Sequence, residues 1–343
     1  MRVLAALDKF RGTISARDAA AAVASAGWEL GIDVDEAPMS DGGEGLLDVF
    51  GGANRTSRVT GPLGGQVEAA WRLDGRTATI EMALASGLLL AGGPAGNDPL
   101  AATTAGTGEL IARAIDAGAR VVIVGLGGSA TTDGGLGALK AIRSPAQIGA
   151  ISLQVACDVP TRFLDAAAVF APQKGASPAQ VKLLTARLER LVDDYAATYG
   201  VDVRNIDGTG AAGGLAGGLL AIGGGLLGGF DLVADHLDLY ERVDDADVVV
   251  TGEGHLDAQS LHGKVVGGVC GLAIAAGLPV VVIAGDVDAD ARAALSALAT
   301  ERSPITVVSL VKRFGDERPF AEPRWCVETA AREALATVSG LEL

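Results

Sequence analysis

Histidine, cysteine and aromatic residues are scarce in this sequence, and each shortage argues against a class of protein. The 343 residues include three histidines and three cysteines, the latter far apart at Cys157, Cys270 and Cys326. The histidines lack a zinc-ligand spacing, and the cysteines form neither a CxxC pair nor a disulfide framework. This cysteine usage favours a reducing, cytoplasmic location. Aromatic residues are 4% of the chain, so alanine, valine, leucine and isoleucine must build most of the core.

Basic residues are also in short supply. The chain has 27 lysines and arginines against 42 acidic residues, which gives a formal net charge of −15. Such a field repels nucleic acid and anionic lipid, so neither a nucleic acid nor a membrane is expected as a partner. An anionic small molecule would need a local group of cations or a bound metal ion. No secretion signal is expected either, because Asp8 interrupts the first apolar run too early.

One long segment lacks polar side chains. Gly210 to Phe230 is 21 residues long, enough for a helix to cross a bilayer. Ten of these residues are glycine, however, and few are large and apolar. The composition therefore favours a buried glycine-rich helix and loop, packed closely on a neighbour, over a membrane span.

Apolar strand-like runs alternate with amphipathic helical segments, which predicts an α/β protein with parallel sheets. The predicted buried strands are Val3–Leu7, Val121–Gly125, Leu153–Cys157, Val248–Thr251, Val280–Ala284 and Ile305–Leu310. Residues 56–80 differ, since they suggest short strands and turns without a helical period. We expect a discontinuous flavodoxin-like domain formed by 1–58 and 230–343, with a second α/β domain, 59–229, inserted into it.

Helix starts are indicated at three positions. Ser15 followed by Asp18 predicts a capping box, and Ser177 followed by Pro178 predicts the start of a long helix. Thr107 is a further predicted N-cap.

Acidic and glycine-rich segments follow most of the predicted strands. In open α/β sheets ligands bind beyond the carboxyl ends of the strands, so these segments are expected to share one site. A single acidic turn would be ordinary turn chemistry, but here the pattern recurs. The segments are Asp8, Ser40–Gly45, Gly127–Gly135, Asp158, Gly252–Asp257 and Gly285–Asp286.

The segment GGSATTDGG, residues 127–135, is the most specific local signal. Its glycines let the backbone approach a ligand, and its hydroxyls and amides can hold phosphate oxygens. Asp133 could ligate Mg²⁺, or alternatively only cap backbone amides. It is not a Walker A loop, and the one candidate for such a loop, Gly263-Lys264, is followed by Val265.

The motifs of this chain, in their order, resemble those of the bacterial glycerate kinase family, of the glycerate 2-kinase type. The matching stretches are ALDKFRGTISA, PMSDGGEG, IEMALASGL, NDPLAATTAGTGELIARAIDAGAR, VVIVGLGGSATTDGG, VACDV, VFAPQKGAS, GTGAAGGLAGG and DADVVVTGEGHLDAQSLHGK. The resemblance implies two α/β domains and phosphorylation of D-glycerate by ATP, at the 2-hydroxyl. The chain departs from the family pattern at Lys9, Arg11 and Thr132, and in a shortened segment after Leu139.

The chemistry of these loops, together with the resemblance, suggests roles for the candidate residues. The ATP-binding candidates are Gly127, Gly128, Ser129, Thr131 and Thr132. The substrate-binding candidates are Asp8, Ser40, Gly42, Gly43 and Lys174. The Mg²⁺ candidates are Asp41, Asp133 and Glu253. The catalytic candidates are Arg11 and Lys264 as cations, and Asp257 or Asp158 as the base. Two alternatives stay open, a kinase of another hydroxy acid and a non-catalytic small-molecule-binding protein.

Overall fold

The computed structural model describes residues 1–142, 148–261 and 263–341. The chain divides into two compact units, Met1–Asp41 with Phe230–Leu343 (the first unit) and Gly42–Gly229 (the second unit). From the sequence we expected residues 42–58 to belong to the flavodoxin-like domain, whereas here they belong to the second unit. The division into domains at 58 and 230 stays a prediction. Part of the shortened segment after Leu139, residues 143–147, lies outside the described residues.

Each of the six predicted buried strands is present among the strands that the structure describes, whereas the strand Gly225–Leu227 lies in the run expected to form a helix and loop. In chain order the described strands are β1 Arg2–Leu7, β2 Asp33–Glu36, β3 Arg55–Thr60, β4 Gln66–Asp74, β5 Thr77–Glu81, β6 Val121–Gly125, β7 Ser152–Ala156, β8 Gly225–Leu227, β9 Val248–Leu256, β10 Val280–Val287 and β11 Ile305–Ser309. The segment Gly252–Leu256 was expected to be a loop. It instead continues β9, because Asp286 and Val287 of β10 extend the pairing to His255 and Leu256.

The first unit contains a five-stranded parallel sheet in the order β11-β10-β9-β1-β2. Numbered within the unit, this order is 2-1-3-4-5, which is the flavodoxin-like order, so the predicted fold class is confirmed. The order reverses between β1 and β9, where Leu7 pairs with Gly252. That switch point is where a ligand is expected in such a sheet.

Helices cover the sheet of the first unit and bury its apolar side chains. Ala16–Glu29 and Pro323–Ser339 present alanine-rich faces to β1, β9 and β10, which lets them approach closely. The helices that the structure describes in this unit are Ala16–Glu29, Gly229–His236 (which starts at the last residue of the second unit), Leu239–Asp244, Val265–Ala276, Ala289–Leu298, Leu310–Phe314, Arg318–Ala321 and Pro323–Ser339, with a 3₁₀ turn at Ala258–Leu261.

The second unit contains a six-stranded sheet whose strands lie in chain order, β3 to β8. β3, β4 and β5 are antiparallel, as expected from the turn-rich sequence of 56–80, and β5 to β8 are parallel. Its described helices are Leu46–Val49, Ala83–Ser86, Gly93–Gly96, Ala105–Asp116, Leu136–Ala141, Ala166–Phe170, Pro178–Tyr199 and Ala211–Ala221, with 3₁₀ turns at Phe163–Asp165 and Pro172–Lys174.

Ser15 and Ser177 are confirmed as N-cap residues, although for Ser15 the structure describes the N-cap bond and not the second bond of the predicted capping box. Ser15 accepts a hydrogen bond from the Asp18 amide, and Ser177 forms a capping box with Gln180. The prediction for Thr107 is wrong. The helix begins earlier, after Thr104, and Thr107 is a buried helical residue whose hydroxyl bonds to that of Ser86.

The first half of the glycine-rich run folds as expected into a buried helix, Ala211–Ala221. The second half differs from the expected buried loop, because it forms the strand β8, in which Gly225 and Leu227 are exposed. Ala212, Gly213 and Gly214 adopt left-handed backbone angles, and a Cβ at Gly213 would collide with the backbone of Thr131 and Thr132. Glycine is therefore required where this segment meets the 127–135 loop. No helix in the described ranges is both long and apolar enough to span a bilayer.

Candidate active site

Asp8 marks the switch point of the first unit. It follows β1 directly, its amide donates to the Gly252 carbonyl at 2.9 Å, and the residue is 6% exposed. Burial raises the pKa of its carboxyl to about 6; Lys9 opposes this shift and Asp41 adds to it. Asp8 is therefore a carboxyl that changes protonation near neutral pH.

Lys9 lies between two carboxylates of the first unit. Its Nζ atom is 3.4 Å from Oδ1 of Asp8 and 3.5 Å from Oδ1 of Asp41. Burial alone would lower the pKa of Lys9, but the two carboxylates raise it above its usual value. Lys9 therefore stays charged and neutralises part of this acidic cluster. Ser40, just before Asp41, is almost fully buried in the same unit.

Glu253 lies on β9, next to the switch point. Burial raises the pKa of its carboxyl to about 7; the Ser260 hydroxyl and Lys264 lower it, while Asp8 and Asp257 raise it. Its Oε1 atom is buried and has no hydrogen-bond partner. A buried carboxylate oxygen without a donor is costly, so this atom is suited to a ligand that supplies a proton or a positive charge.

Asp257 is held by the 3₁₀ turn that follows β9. Its Oδ1 atom accepts from the Ser260 amide at 2.9 Å and from the Ser260 hydroxyl at 3.1 Å. Although burial raises its pKa, these bonds and Lys264 lower it overall, so the group is ionised at neutral pH. Lys264 itself precedes the helix Val265–Ala276 as its N-cap residue.

Glycines bring the backbone of Arg11 close to β9. A Cβ at Gly254 would come within 2.9 Å of the Arg11 amide nitrogen and 3.0 Å of the Phe10 Cα atom. A side chain at Gly254 would therefore push this loop away from the strand. The side chain of Arg11 is free to extend, since the residue is exposed.

The donor set of the first unit is one of oxygen atoms, which suits Mg²⁺. Within the ranges 1–142, 148–261 and 263–341, no group of three or more acidic, histidine or cysteine side chains is arranged to hold a metal ion alone. Mg²⁺ is commonly bound by one or two carboxylates together with substrate phosphates and water. The carboxylates of Asp41 and Glu253 suit an ion that is also bound by phosphates and water. They do not supply a complete set of metal ligands by themselves.

The 127–135 loop of the second unit connects β6 to the helix Leu136–Ala141 and has an exposed and a buried half. Gly127, Gly128 and Ser129 are at least partly exposed, whereas Thr131 and Thr132 are buried. The Thr131 hydroxyl donates to the Ala212 carbonyl at 3.4 Å. Of the five predicted ATP-binding residues, the first three are therefore accessible to a ligand. The two threonines are not accessible.

Asp133 acts as a cap in the second unit. Its Oδ2 atom accepts from the amide of Thr104 (2.9 Å), the hydroxyl of Thr104 (2.9 Å) and the amide of Gly137 (3.1 Å). Its Oδ1 atom accepts from the Gly135 amide at 3.1 Å. The carboxylate thus ties the end of the loop to two helix starts, which is the alternative to a metal-ligand role.

Lys174 points into the second unit, although it was predicted to bind substrate. The residue is 4% exposed, and Nζ donates to the Ser129 hydroxyl at 2.7 Å and to the Thr131 carbonyl at 2.6 Å. Burial lowers its pKa to about 7, while Asp133 raises it. Lys174 therefore contacts the loop from its inner side.

The remaining predicted residues lie at strand ends of the second unit. A Cβ at Gly42 would lie 2.6 Å from that of Ala156, and a Cβ at Gly127 would lie 2.9 Å from the Gly43 Cα atom. Asp158, two residues beyond β7, accepts from the Gly229 amide. The structure thus brings the Gly42-Gly43 turn against the end of β7 and the start of the 127–135 loop.

Two side chains at this end of the second unit were missed by sequence reasoning. Glu81, the last residue of β5, accepts from the Leu47 amide at 2.8 Å, and burial raises its pKa. Asn97 donates to the Ala130 carbonyl at 3.1 Å and the Lys174 carbonyl at 2.9 Å. The strand-end rule could have identified Glu81, whereas Asn97 follows no strand and carries no such signal.

Comparison with known proteins gives a consistent result. The glycerate kinase family model matches residues 3–144 and 142–315. The chain is 38% identical to a glycerate 2-kinase of Escherichia coli over 331 residues, covering 84% of this chain and 86% of that one. It is 39% identical to a glycerate kinase of Bacillus subtilis over 333 residues, with coverages of 85% and 87%. A crystal structure from Salmonella typhimurium, provisionally named glycerate kinase 2, superposes with a TM-score of 0.83 at 34% identity, covering 99% of this chain and 98% of that one.

Proposed function

This chain belongs to the glycerate kinase family and is a kinase, and from that premise we propose that it transfers the γ-phosphoryl group of ATP to the 2-hydroxyl of D-glycerate. The supporting observation is the cluster at the switch point of the first unit. Asp8, Lys9 and Asp41 lie together there, on a sheet of flavodoxin-like order. Such a mixed group of charges suits a small anionic acceptor and a metal-bound phosphate.

We propose that Mg²⁺ is held by Asp41 or Glu253, the carboxylate candidates of the first unit. The fit rests on their oxygen donors and on the buried Oε1 atom of Glu253, which has no hydrogen-bond partner. When bound, the ion would neutralise negative charge on the transferring group. Asp133 is the third candidate, but its four hydrogen bonds already occupy both carboxylate oxygens.

The acceptor hydroxyl has to lose its proton to a carboxylate. We keep Asp257 and Asp158 as the candidate bases. The lowered pKa of Asp257 keeps it ionised, which a base requires. Its bonds to Ser260 would orient it, provided that one oxygen stays available to the substrate. Arg11 and Lys264 are the candidate cations for the substrate carboxylate and for the charge that develops on the phosphoryl group.

The nucleotide is assigned to the exposed half of the 127–135 loop. Gly127 and Gly128 have no side chain to obstruct a phosphate, and the backbone can approach it closely. Gly128 has a φ of +67°, a conformation that other residues rarely adopt. A larger residue there would strain the loop, and its Cβ atom would lie 3.2 Å from that of Ala83.

A coupled assay of ADP release tests this function directly. Purified protein would be given Mg-ATP with D-glycerate, L-glycerate, glycolate or D-lactate in parallel. Turnover that is fastest with D-glycerate is the expected result. Faster turnover with another acid would favour the kinase of a different hydroxy acid, and binding without ADP release would favour the non-catalytic protein. We also propose a cytoplasmic location, which is supported by the free thiols of all three cysteines.

A further inference from the structure

Two side chains, those of Lys174 and Asn97, donate hydrogen bonds to the 127–135 loop from its buried side. Lys174 donates to the Ser129 hydroxyl and the Thr131 carbonyl, and Asn97 donates to the Ala130 carbonyl between them. Three successive residues of the loop are therefore fixed by donors that come from outside the loop. Asn97 also donates to the Lys174 carbonyl at 2.9 Å, so the two holding residues are joined to each other.

The position of Lys174 is fixed by local structure. It ends the 3₁₀ turn Pro172–Lys174, and Gly175 follows with a φ of +93°. A Cβ at Gly175 would collide with the Pro94 carbonyl, so glycine is needed for the turn to pack beside the helix Gly93–Gly96. The sequence PQKG therefore aims one lysine at the inner side of the loop.

Lys174 has no route to a substrate in this arrangement. The residue is only 4% exposed, and the Phe170 ring lies 5.9 Å from its Nζ atom. Within the described ranges it forms no ion pair, and the charge of Asp133, which lies beyond ion-pair distance, only partly offsets the cost of burying the ammonium group. A buried cation without a counter-ion is costly to the fold, which calls for a functional reason for its presence.

We propose that Lys174 is a positioning residue for nucleotide binding, which acts by holding Ser129 and Thr131 so that the exposed Gly127–Ser129 backbone keeps the shape that receives phosphate. This inference rests on the proposed nucleotide role of the loop. It differs from the substrate-binding role expected from the sequence, because the ammonium group contacts the loop and not the acceptor.

When Lys174 is protonated, its charge adds to the positioning effect. In a protein interior a positive charge is screened less than in water, so an ammonium group behind the loop attracts an anion in front of it. A methionine at this position would keep much of the length and volume of the side chain while removing both the hydrogen bonds and the charge. Lys174→Met therefore tests the role with little change in packing.

The test compares Lys174→Met with Lys182→Met, a matched control on the exposed side of the helix Pro178–Tyr199 in the same unit. The Kd for ATP is measured by calorimetry, and the KM values for ATP and D-glycerate by the coupled assay. We expect Lys174→Met to weaken ATP binding at least tenfold and to change the KM for D-glycerate less than twofold. The control should change neither. Asn97→Ala should weaken ATP binding in the same direction, by a smaller factor.

Two results would overturn the proposal. One is a Kd for ATP that is unchanged in Lys174→Met, and the other is a rise in the KM for D-glycerate that exceeds the rise for ATP. If Lys174→Met fails to fold, the Kd of Asn97→Ala for ATP tests the proposal instead. A Kd equal to that of the wild type refutes it. The Kd ratio for ATP decides the role of Lys174, while wild-type turnover with D-glycerate separately decides the proposed function.

Discussion

Replacing Asp133 by asparagine separates the two roles that this residue could have. The carboxylate accepts four hydrogen bonds, three at Oδ2 and one at Oδ1. Asparagine has the same shape but only one acceptor oxygen. If that oxygen takes the place of Oδ2, the amide NH₂ group faces the Gly135 amide, donor against donor.

The magnitude follows from that mismatch. Hydrogen bonds to a charged group contribute about 1.5–3 kcal/mol each, and a buried donor left unpaired costs about 1–3 kcal/mol. One bond is lost outright, and three lose their charge assistance. We therefore expect Asp133→Asn to lower the free energy of unfolding by about 3 kcal/mol. For a unit of this size that corresponds to a fall in the thermal midpoint of about 6–12 °C.

The assay measures the thermal midpoint and turnover on one preparation, below the midpoint of the variant. If Asp133 is a cap, the midpoint falls clearly and the molecules that remain folded keep most of their turnover. If Asp133 is a metal ligand, turnover falls by orders of magnitude and the midpoint without ligand hardly changes. This second pattern would refute the structural reasoning and return Asp133 to the metal candidates.

Three further predictions concern buried polar groups, each measured by thermal unfolding. Burial raises the pKa of Glu253 to about 7, so the cost of its charge is present above that pH and disappears as the carboxyl is protonated; Glu253→Gln should stabilise the ligand-free protein by about 2–3 kcal/mol at pH 8 and by little near pH 4. An equal effect at both pH values would contradict this. Burial lowers the pKa of Lys174 to about 7, so the cost of its charge is greatest below that pH; the midpoint of Lys174→Met relative to wild type should be highest near pH 6 and decline toward pH 10. A relative midpoint that rises with pH would show the sign to be wrong. The Thr132 hydroxyl is buried without a hydrogen-bond partner. Thr132→Val should therefore leave the free energy of unfolding unchanged or raise it by about 1 kcal/mol. A decrease of more than about 1 kcal/mol would contradict this.

The buried parallel strands with continuous apolar sequences could be predicted because their signal is local, whereas the short strand β8 was missed. Runs such as Val121–Gly125 and Val280–Ala284 are continuous and apolar, which is typical of parallel strands buried on both faces. The continuation of β9 through Gly252–Leu256 was missed for the opposite reason. Its glycines and polar residues indicate a loop, and only the neighbouring β10 makes a strand of them.

The sequence indicated which segments carry the candidate site residues. It could not indicate the direction in which their side chains point. Strand ends indicated Asp8 and the 127–135 loop as candidates, and the structure places Asp8 directly after β1 and the loop after β6. The sequence could not show that Lys174 turns inward. Its direction depends on the close packing of Gly175 on Pro94, two segments far apart in the chain. Asn97 was missed for the same reason, because its hydrogen-bond acceptors, the Ala130 and Lys174 carbonyls, are also distant in sequence.

The most direct test of the central claim is the ³¹P NMR spectrum of a reaction that contains the purified protein, D-glycerate, ATP and Mg²⁺. We predict that ATP is consumed and that one new phosphomonoester appears, identified as 2-phosphoglycerate by addition of the authentic compound. Signals of 3-phosphoglycerate would contradict the proposed position of transfer. A spectrum in which ATP stays intact, with a folded protein that binds ATP and D-glycerate, would contradict the claim that this chain phosphorylates glycerate.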